Sequence, residues 1–185
     1  MSEVRIRMSG AALVGLLLLS GCGGRPPGPG GNPLPKAAAT ARLIDTAGTQ
    51  IGLAIFTATD TGTTVGISIA DLPPGAHGLH LHETGQCTPP DFASAGGHFN
   101  PTARHHGLEN PEGPHLGDLP NLTVQANGSA DTTFSLDPVL LRPGPLSLLD
   151  STGTALVVHA EPDDQRSDPS GDSGKRIACG TIEPN

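Results

Sequence analysis

The 185-residue chain has no Trp and no Tyr, and four Phe supply its whole aromatic complement. That excludes an aromatic platform on which nucleic-acid bases could stack. Cations are scarce too: ten Lys plus Arg stand against eighteen Asp plus Glu, for a formal net charge of −8. A nucleic-acid binder needs a basic face to release counterions from phosphate, so no nucleic acid is expected as a partner. The one apolar run near the start, Ala11–Leu19, is too short for the roughly 20 residues that a membrane-spanning helix needs. Cysteine is limited to three residues. What is plentiful is glycine and proline, 26 and 19 residues, which favours short elements joined by turns over long helices. Histidine is plentiful as well, with eight residues in clusters.

The first 21 residues read as an address. Arg5 and Arg7 form a basic start, Ala11–Leu19 is the apolar stretch, and Leu19-Ser20-Gly21-Cys22 follows directly. A small-residue site ending in Cys resembles a bacterial lipobox, in which Cys22 becomes the lipidated first residue; the alternative is an ordinary signal peptide with an incidental Cys. The expectation is a signal peptide over 1–21 and an exported protein held to the cell envelope on its extracytoplasmic side, with a membrane as partner through the N-terminal lipid. An exported protein with three Cys has an odd one to explain. Lipid on Cys22 leaves Cys87 and Cys179 as an even pair in an oxidising compartment. A bridge between them closes a loop of about 90 residues, which the chain-entropy picture values at no more than about 4–5 kcal/mol.

Residues 22–38 are rich in Gly and Pro and carry no apolar pattern, so they form a tether. A single domain is expected over 39–185. There the sequence breaks into short alternating runs: 41–45, 51–59, 63–70, 76–82, 121–126, 129–136, 155–160 and 176–183. Turn chemistry separates them, notably Asp71-Leu72-Pro73-Pro74-Gly75 and the Asn127-Gly128 pair. About eight short strands at this spacing predict an all-β, Greek-key antiparallel sandwich or barrel of immunoglobulin-like type. The stretch from Glu83 to about Pro120 is longer than a compact domain leaves unstructured without a reason. Its Gly, Pro and His content points to a metal-binding loop. A second loop, acidic, lies between the last two strands.

On a strand, side chains two residues apart share a face. His80 and His82 therefore point the same way about 7 Å apart, a spacing suited to one ion. His77 has the opposite parity and reads as a core histidine hydrogen-bonded to backbone. The long loop supplies His98, His106, His115 and Asp118; three imidazoles and a carboxylate suit a closed tetrahedral Zn²⁺ site. His159 ends the apolar run Ala155–Val158 and can join His80 and His82 if the fold brings those strands together. Each histidine alone is weak evidence, since loop histidines are usually solvated and a bare HxH occurs in other metal folds.

Five stretches together resemble the copper/zinc superoxide dismutase family: GAHGLHLHETGQC at 75–87, GGHFNPTARHHG at 96–107, GPHLGDL at 113–119, LVVHAEPDD at 156–164 and GKRIACG at 174–180. They occur in the family's order and span roughly Ala39 to Glu183. The resemblance implies dismutation of superoxide to oxygen and hydrogen peroxide, with one copper and one zinc ion per subunit. It implies copper ligands His80, His82, His98 and His159, and zinc ligands His98, His106, His115 and Asp118, with His98 shared as a bridge. It also implies a Cys87–Cys179 disulfide, Arg176 beside the copper as the group that receives the anion, and Asp163 linking His80 to His106. His105 stands where many relatives carry a basic residue and reads as a solvated side chain. The acidic segment 161–175 holds only Arg166 and Lys175 as cations, so steering by loop lysines does not carry over. The spacing from His82 to Cys87 is that of bacterial members, whose dimer surface differs from the eukaryotic one; a homodimer and a monomer both stay open. Three other readings are weighed: a copper- or zinc-binding module on the same scaffold, a copper-only relative, and a zinc hydrolase. The first is disfavoured by the complete set of copper positions with Arg176, the second by the filled zinc positions, the third by four protein ligands that leave no place for water.

Overall fold

The computed structural model describes residues 37–185. The signal segment 1–21, Cys22 and all but the last two residues of the tether lie outside the described residues. Nine strands form among the described residues: β1 (Ala37–Asp45), β2 (Gln50–Ala58), β3 (Thr63–Ile69), β4 (Gly75–His77), β5 (Leu79–His82), β6 (Leu122–Val124), β7 (Ala130–Ser135), β8 (Ala155–His159) and β9 (Arg176–Pro184). The only helical element among the described residues is a 3-10 turn at Ala93–Ala95. Seven strands make one antiparallel sheet in the order β5-β8-β9-β1-β2-β3-β7, and β4 pairs with β6. The all-β expectation holds, and the first and last strands are neighbours, as a Greek key requires.

Burial follows the alternation read from the sequence. Along β3, Thr63, Val65, Ile67 and Ile69 are buried while Ser68 is exposed. Leu43, Phe56, Leu79, Leu81, Leu122, Leu156 and Val158 meet in one core from strands across the chain. Each fully buried residue of this size contributes about 1.5–3 kcal/mol relative to exposure. A smaller cluster, Phe92, Ala95, Ala155, Val157 and Cys179, lies on the other face of β8.

Two departures position the site. The strand expected over 76–82 divides at Gly78, and its halves join different sheets. Gly78 donates its N–H to the Glu161 carbonyl and accepts from His159 N–H, both at 2.8 Å. A Cβ there would sit 2.7 Å from Ser173 Cβ, so only glycine lets the chain pass. The second is an irregularity in the β8–β9 ladder between Val158 and His159. It makes Arg176 the cross-strand partner of His159, a re-aiming of the kind β-bulges produce beside functional sites. β1 also starts at Ala37, two residues before the expected domain boundary.

Candidate metal centre

The site arises from strand parity. β5 sends Leu79 and Leu81 into the main core, so His80 and His82 must point outward. β8 sends Leu156 and Val158 inward and His159 outward. Because β5 and β8 are neighbours, with His80 opposite Val157, the three histidines share one outer face. They would be exposed there if the long loop did not cover them. It does so by completing the free edge of β5: Leu81 N–H donates to Gly117 O, Phe99 N–H to Leu81 O and Glu83 N–H to Gly97 O, at 2.8–2.9 Å. An open sheet edge is thereby closed, with Asp118 carried opposite His80 and His98 opposite His82.

Two donor groups result. In the first, His80, His82, His98 and His159 present ring nitrogens within 4.8 Å of one another. Three of the rings have one nitrogen tied as a donor: His80 Nε2 to Asp163 Oδ2 at 2.7 Å, His82 Nδ1 to Gly96 O at 3.0 Å, and His159 Nδ1 to Gly174 O at 3.2 Å. The opposite nitrogens, His80 Nδ1, His82 Nε2 and His159 Nε2, together with His98 Nε2, are buried without any partner. Tying one nitrogen as N–H leaves a lone pair on the other, as a metal-ligating histidine requires. Four orphaned lone pairs converging in a buried pocket are otherwise costly.

In the second group Asp118 stands at the centre. Its Oδ2 accepts the backbone N–H groups of Gly107 and His115 at 2.9 and 3.0 Å. Its Oδ1 faces the Nδ1 atoms of His98 and His106 at 3.0 Å each and of His115 at 3.3 Å. His115 Nδ1 lies 3.4 Å from His98 Nδ1. Tetrahedral zinc with bonds of about 2.0–2.1 Å sets its ligands about 3.3 Å apart, so this donor set fits that ion. The donor atoms that all lie within 4.8 Å of one another here are those of His80, His98, His106 and Asp118. His115 is outside that set and joins through Asp118 and His98, while His80 has its Nε2 bonded to Asp163 and its bare Nδ1 in the first group.

The electrostatics fit a cation-receiving site. Burial lowers the His98 ring to about 4, despite Asp118, and the His159 ring to about 3, where His80 adds to the effect. Burial also holds His82 well below its usual value, with His98 and Arg176 contributing, and lowers His80 against the pull of Asp163. These rings are neutral bases at pH 7. Burial opposes the charged form of Asp118, yet its hydrogen bonds to His106, His115 and His98 outweigh that and hold it ionised. His106 goes the other way: its bonds to Asp118 and Asp163 overcome burial and raise it to about 9.

Asp163 stands between the groups, with Oδ2 on His80 Nε2 and Oδ1 on His106 Nε2 at 3.1 Å. Gly171, at φ +62°, packs against it so tightly that a Cβ would overlap Asp163 Oδ1. Arg176 donates to Phe92 O at 2.7 Å and Gly96 O at 2.6 Å, so it shares the Gly96 carbonyl with His82. Arg176, Lys175, Asp91 and Thr46 line an open cavity of about 610 Å³. Cys87 and Cys179 are bonded, Cα atoms 5.6 Å apart. His77 is buried with Nδ1 on His159 O and Nε2 on Pro73 O, in agreement with its reading as a backbone-bonded core residue. His105 is half-exposed but not simply solvated: Nδ1 bonds Asp168 Oδ2 at 2.6 Å. Asp168, and the carbonyls of Phe92 and Gly96, are site contributors with no signal in the sequence, because they act through loop conformation.

A family model described as copper/zinc superoxide dismutase matches residues 50–182. Superoxide dismutase [Cu-Zn] 2 of Aquifex aeolicus is 48% identical over 146 residues, covering 78% of this chain and 85% of the relative. The superoxide dismutase-like protein YojM of Bacillus subtilis is 40% identical over 178 residues, covering 90% and 91%. Among solved structures, the Cu/Zn superoxide dismutase of Brucella abortus superposes with a TM-score of 0.63 at 31% identity, covering 78% of this chain and 99% of that one. The chain therefore belongs to the copper/zinc superoxide dismutase family, with copper and zinc as cofactors and the dismutation of superoxide as its reaction.

Proposed function

We propose that His80, His82, His98 and His159 hold the copper ion and that His98, His106, His115 and Asp118 hold the zinc ion of this dismutase. The observation that carries the reading is the convergence of four buried, unpartnered ring nitrogens on one point. Bound copper supplies reversible one-electron chemistry, by which two superoxide ions and two protons become one oxygen and one hydrogen peroxide. The protein does the rest. His80 and His98 fall in both groups, but His80 Nε2 is bonded to Asp163, whereas His98 has Nδ1 toward Asp118 and a buried, unpartnered Nε2 for the first group. Its Nε2 is thus the atom at which a proton can be held and released beside the substrate. Asp163 fixes the rings of His80 and His106 through one carboxylate, so the two ligand sets move as a unit. Arg176, a permanently charged fork held by two carbonyls, receives the anion at the cavity and disfavours larger or neutral molecules.

Loaded with both metals, the protein should suppress superoxide-driven dye reduction; no suppression ends the catalytic reading. His98→Ala should disturb both metal contents together, and an untouched zinc content refutes the shared ring. A metal-storage module would keep its metals after Arg176→Ala without having had activity to lose.

The protein works outside the cytoplasm in this reading, with signal peptide 1–21, lipid on Cys22, tether 22–38 and catalytic domain 39–185. The Cys87–Cys179 bond supports an oxidising compartment. Labelled fatty acid should enter the full chain and not Cys22→Ser; equal labelling of both removes the anchor.

A further inference from the structure

The long metal-binding loop and the acidic loop meet at the pair His105–His106, where the loop 163–168 takes hold of it from two sides. Asp163 Oδ1 accepts from His106 Nε2 at 3.1 Å. Five residues on, Asp168 Oδ1 accepts the backbone N–H of His106, and Asp168 Oδ2 accepts from the ring Nδ1 of His105 at 2.6 Å. One carboxylate thus spans two adjacent residues and ties main chain and side chain at once. Glu109 N–H donates to Gln165 O at 3.0 Å and Asn110 Nδ2 to Arg166 O at 3.2 Å along the same seam. Gly107 has no side chain at the point where a Cβ would lie 2.2 Å from Gln165 O, so the two loops close fully.

The consequence for His106 is geometric. Asp163 fixes the rotation of its ring, and Asp168 fixes the main chain from which the ring projects. With both held, Nδ1 has one direction, toward Asp118 Oδ1 at 3.0 Å. This clasp forms from protein groups alone, with charge-assisted hydrogen bonds at short distance. Asp168 and His105 are each about half exposed, 45% and 54%, so truncating either opens no cavity in the core.

We propose that Asp168 is a positioning residue for His106: the His105–Asp168–His106 clasp sets the zinc-side donor group before the ion arrives. The proposal rests on the reading of His106 as a zinc ligand. Outer groups that orient metal ligands typically account for 10–100-fold in affinity, and that is the scale expected here.

The test measures zinc affinity by competition with a chromophoric chelator and records the visible spectrum of the cobalt(II)-substituted zinc site, in the full disulfide-bonded protein. Asp168→Ala should weaken zinc at least tenfold and alter the cobalt bands. Asp168→Asn keeps an oxygen for the His106 N–H and should stay within about threefold of the parent. Arg166→Gln breaks the exposed Arg166–Glu109 pair on the same seam and should change affinity less than twofold. His105→Ala, which removes one arm only, should fall between Asp168→Ala and the parent, and it carries the test if Asp168→Ala does not fold. The proposal is overturned if Asp168→Ala binds zinc within twofold of the parent, if Asp168→Asn loses as much as Asp168→Ala, or if Arg166→Gln loses as much, which would reduce the clasp to general loop stapling. If Asp168→Ala does not fold, a His105→Ala protein that binds zinc as the parent does overturns it. His106→Ala separates the two readings: undiminished zinc affinity there removes His106 as a ligand, whereas its loss beside an unaffected Asp168→Ala removes only the clasp.

Discussion

Stripping both metals and lowering the pH should destabilise this protein steeply between pH 6.5 and 4.5. His98 and His159 are held to about 4 and about 3 by burial, against the usual 6.5. Their folded forms refuse a proton that the unfolded chain accepts, so stability is complete above 6.5 and falls as the pH drops toward the folded values. Over these two pH units each ring costs about 2 kcal/mol, and the pair about 4 kcal/mol. That is a large part of the roughly 5–15 kcal/mol by which a domain is stable. His82, held down in the same sense, adds to the loss. The two buried carboxylates do not mask it. Asp118 and Asp163 lie below their usual 3.8, so their stabilisation is intact above that value and fails only below it. On the alkaline side His106, raised to about 9, stabilises fully below 6.5 and loses that contribution as the pH rises to 9. The metal-free protein should thus be most stable near pH 6.5–7. Urea unfolding at fixed pH from 4.5 to 9 reads this directly. With copper and zinc bound, protons must displace the ions, and the acid limb should move to lower pH. A metal-free stability that is flat, or that rises from pH 6.5 to 4.5, refutes the picture of neutral, buried, converging imidazoles.

Arg176→Ala removes a permanently charged fork beside His82; a charged hydrogen bond from such a fork to the substrate anion is worth about 1.5–3 kcal/mol, so activity should fall about 10–100-fold with copper and zinc content unchanged by metal analysis. Loss of metal instead would show that Arg176 holds the site together. Replacing Cys87 and Cys179 together by Ser opens a loop of sequence separation 92; the unfolding free energy from urea titration should drop by up to about 4–5 kcal/mol, and an unchanged midpoint would contradict the role of the bridge. Gly171→Ala puts a methyl group onto Asp163 and against His106 Nε2 from a left-handed backbone position. Zinc affinity should fall at least tenfold, and an unaffected variant would mean that the loop relaxes freely around Asp163.

The sequence alone determined the strand alternation, the HxH pair on one face and the two groups of metal-binding residue types, because side-chain period and donor chemistry are local properties. His80 and His82 had to share a face whatever the fold, and Gly- and Pro-rich segments had to be turns and loops. Other features waited on tertiary structure because they join residues far apart in the chain. The split of residues 76–82 at Gly78 depends on Ser173 and Glu161, about 90 residues away in sequence. Arg176 meets His159 through one irregular step in a ladder, and a single-residue slip of that kind reverses which face a side chain takes. Asp168 grips His106 only because two loops, neither with a periodic pattern, lie against each other. Periodicity gave direction within each strand; packing decided which strands and loops would meet.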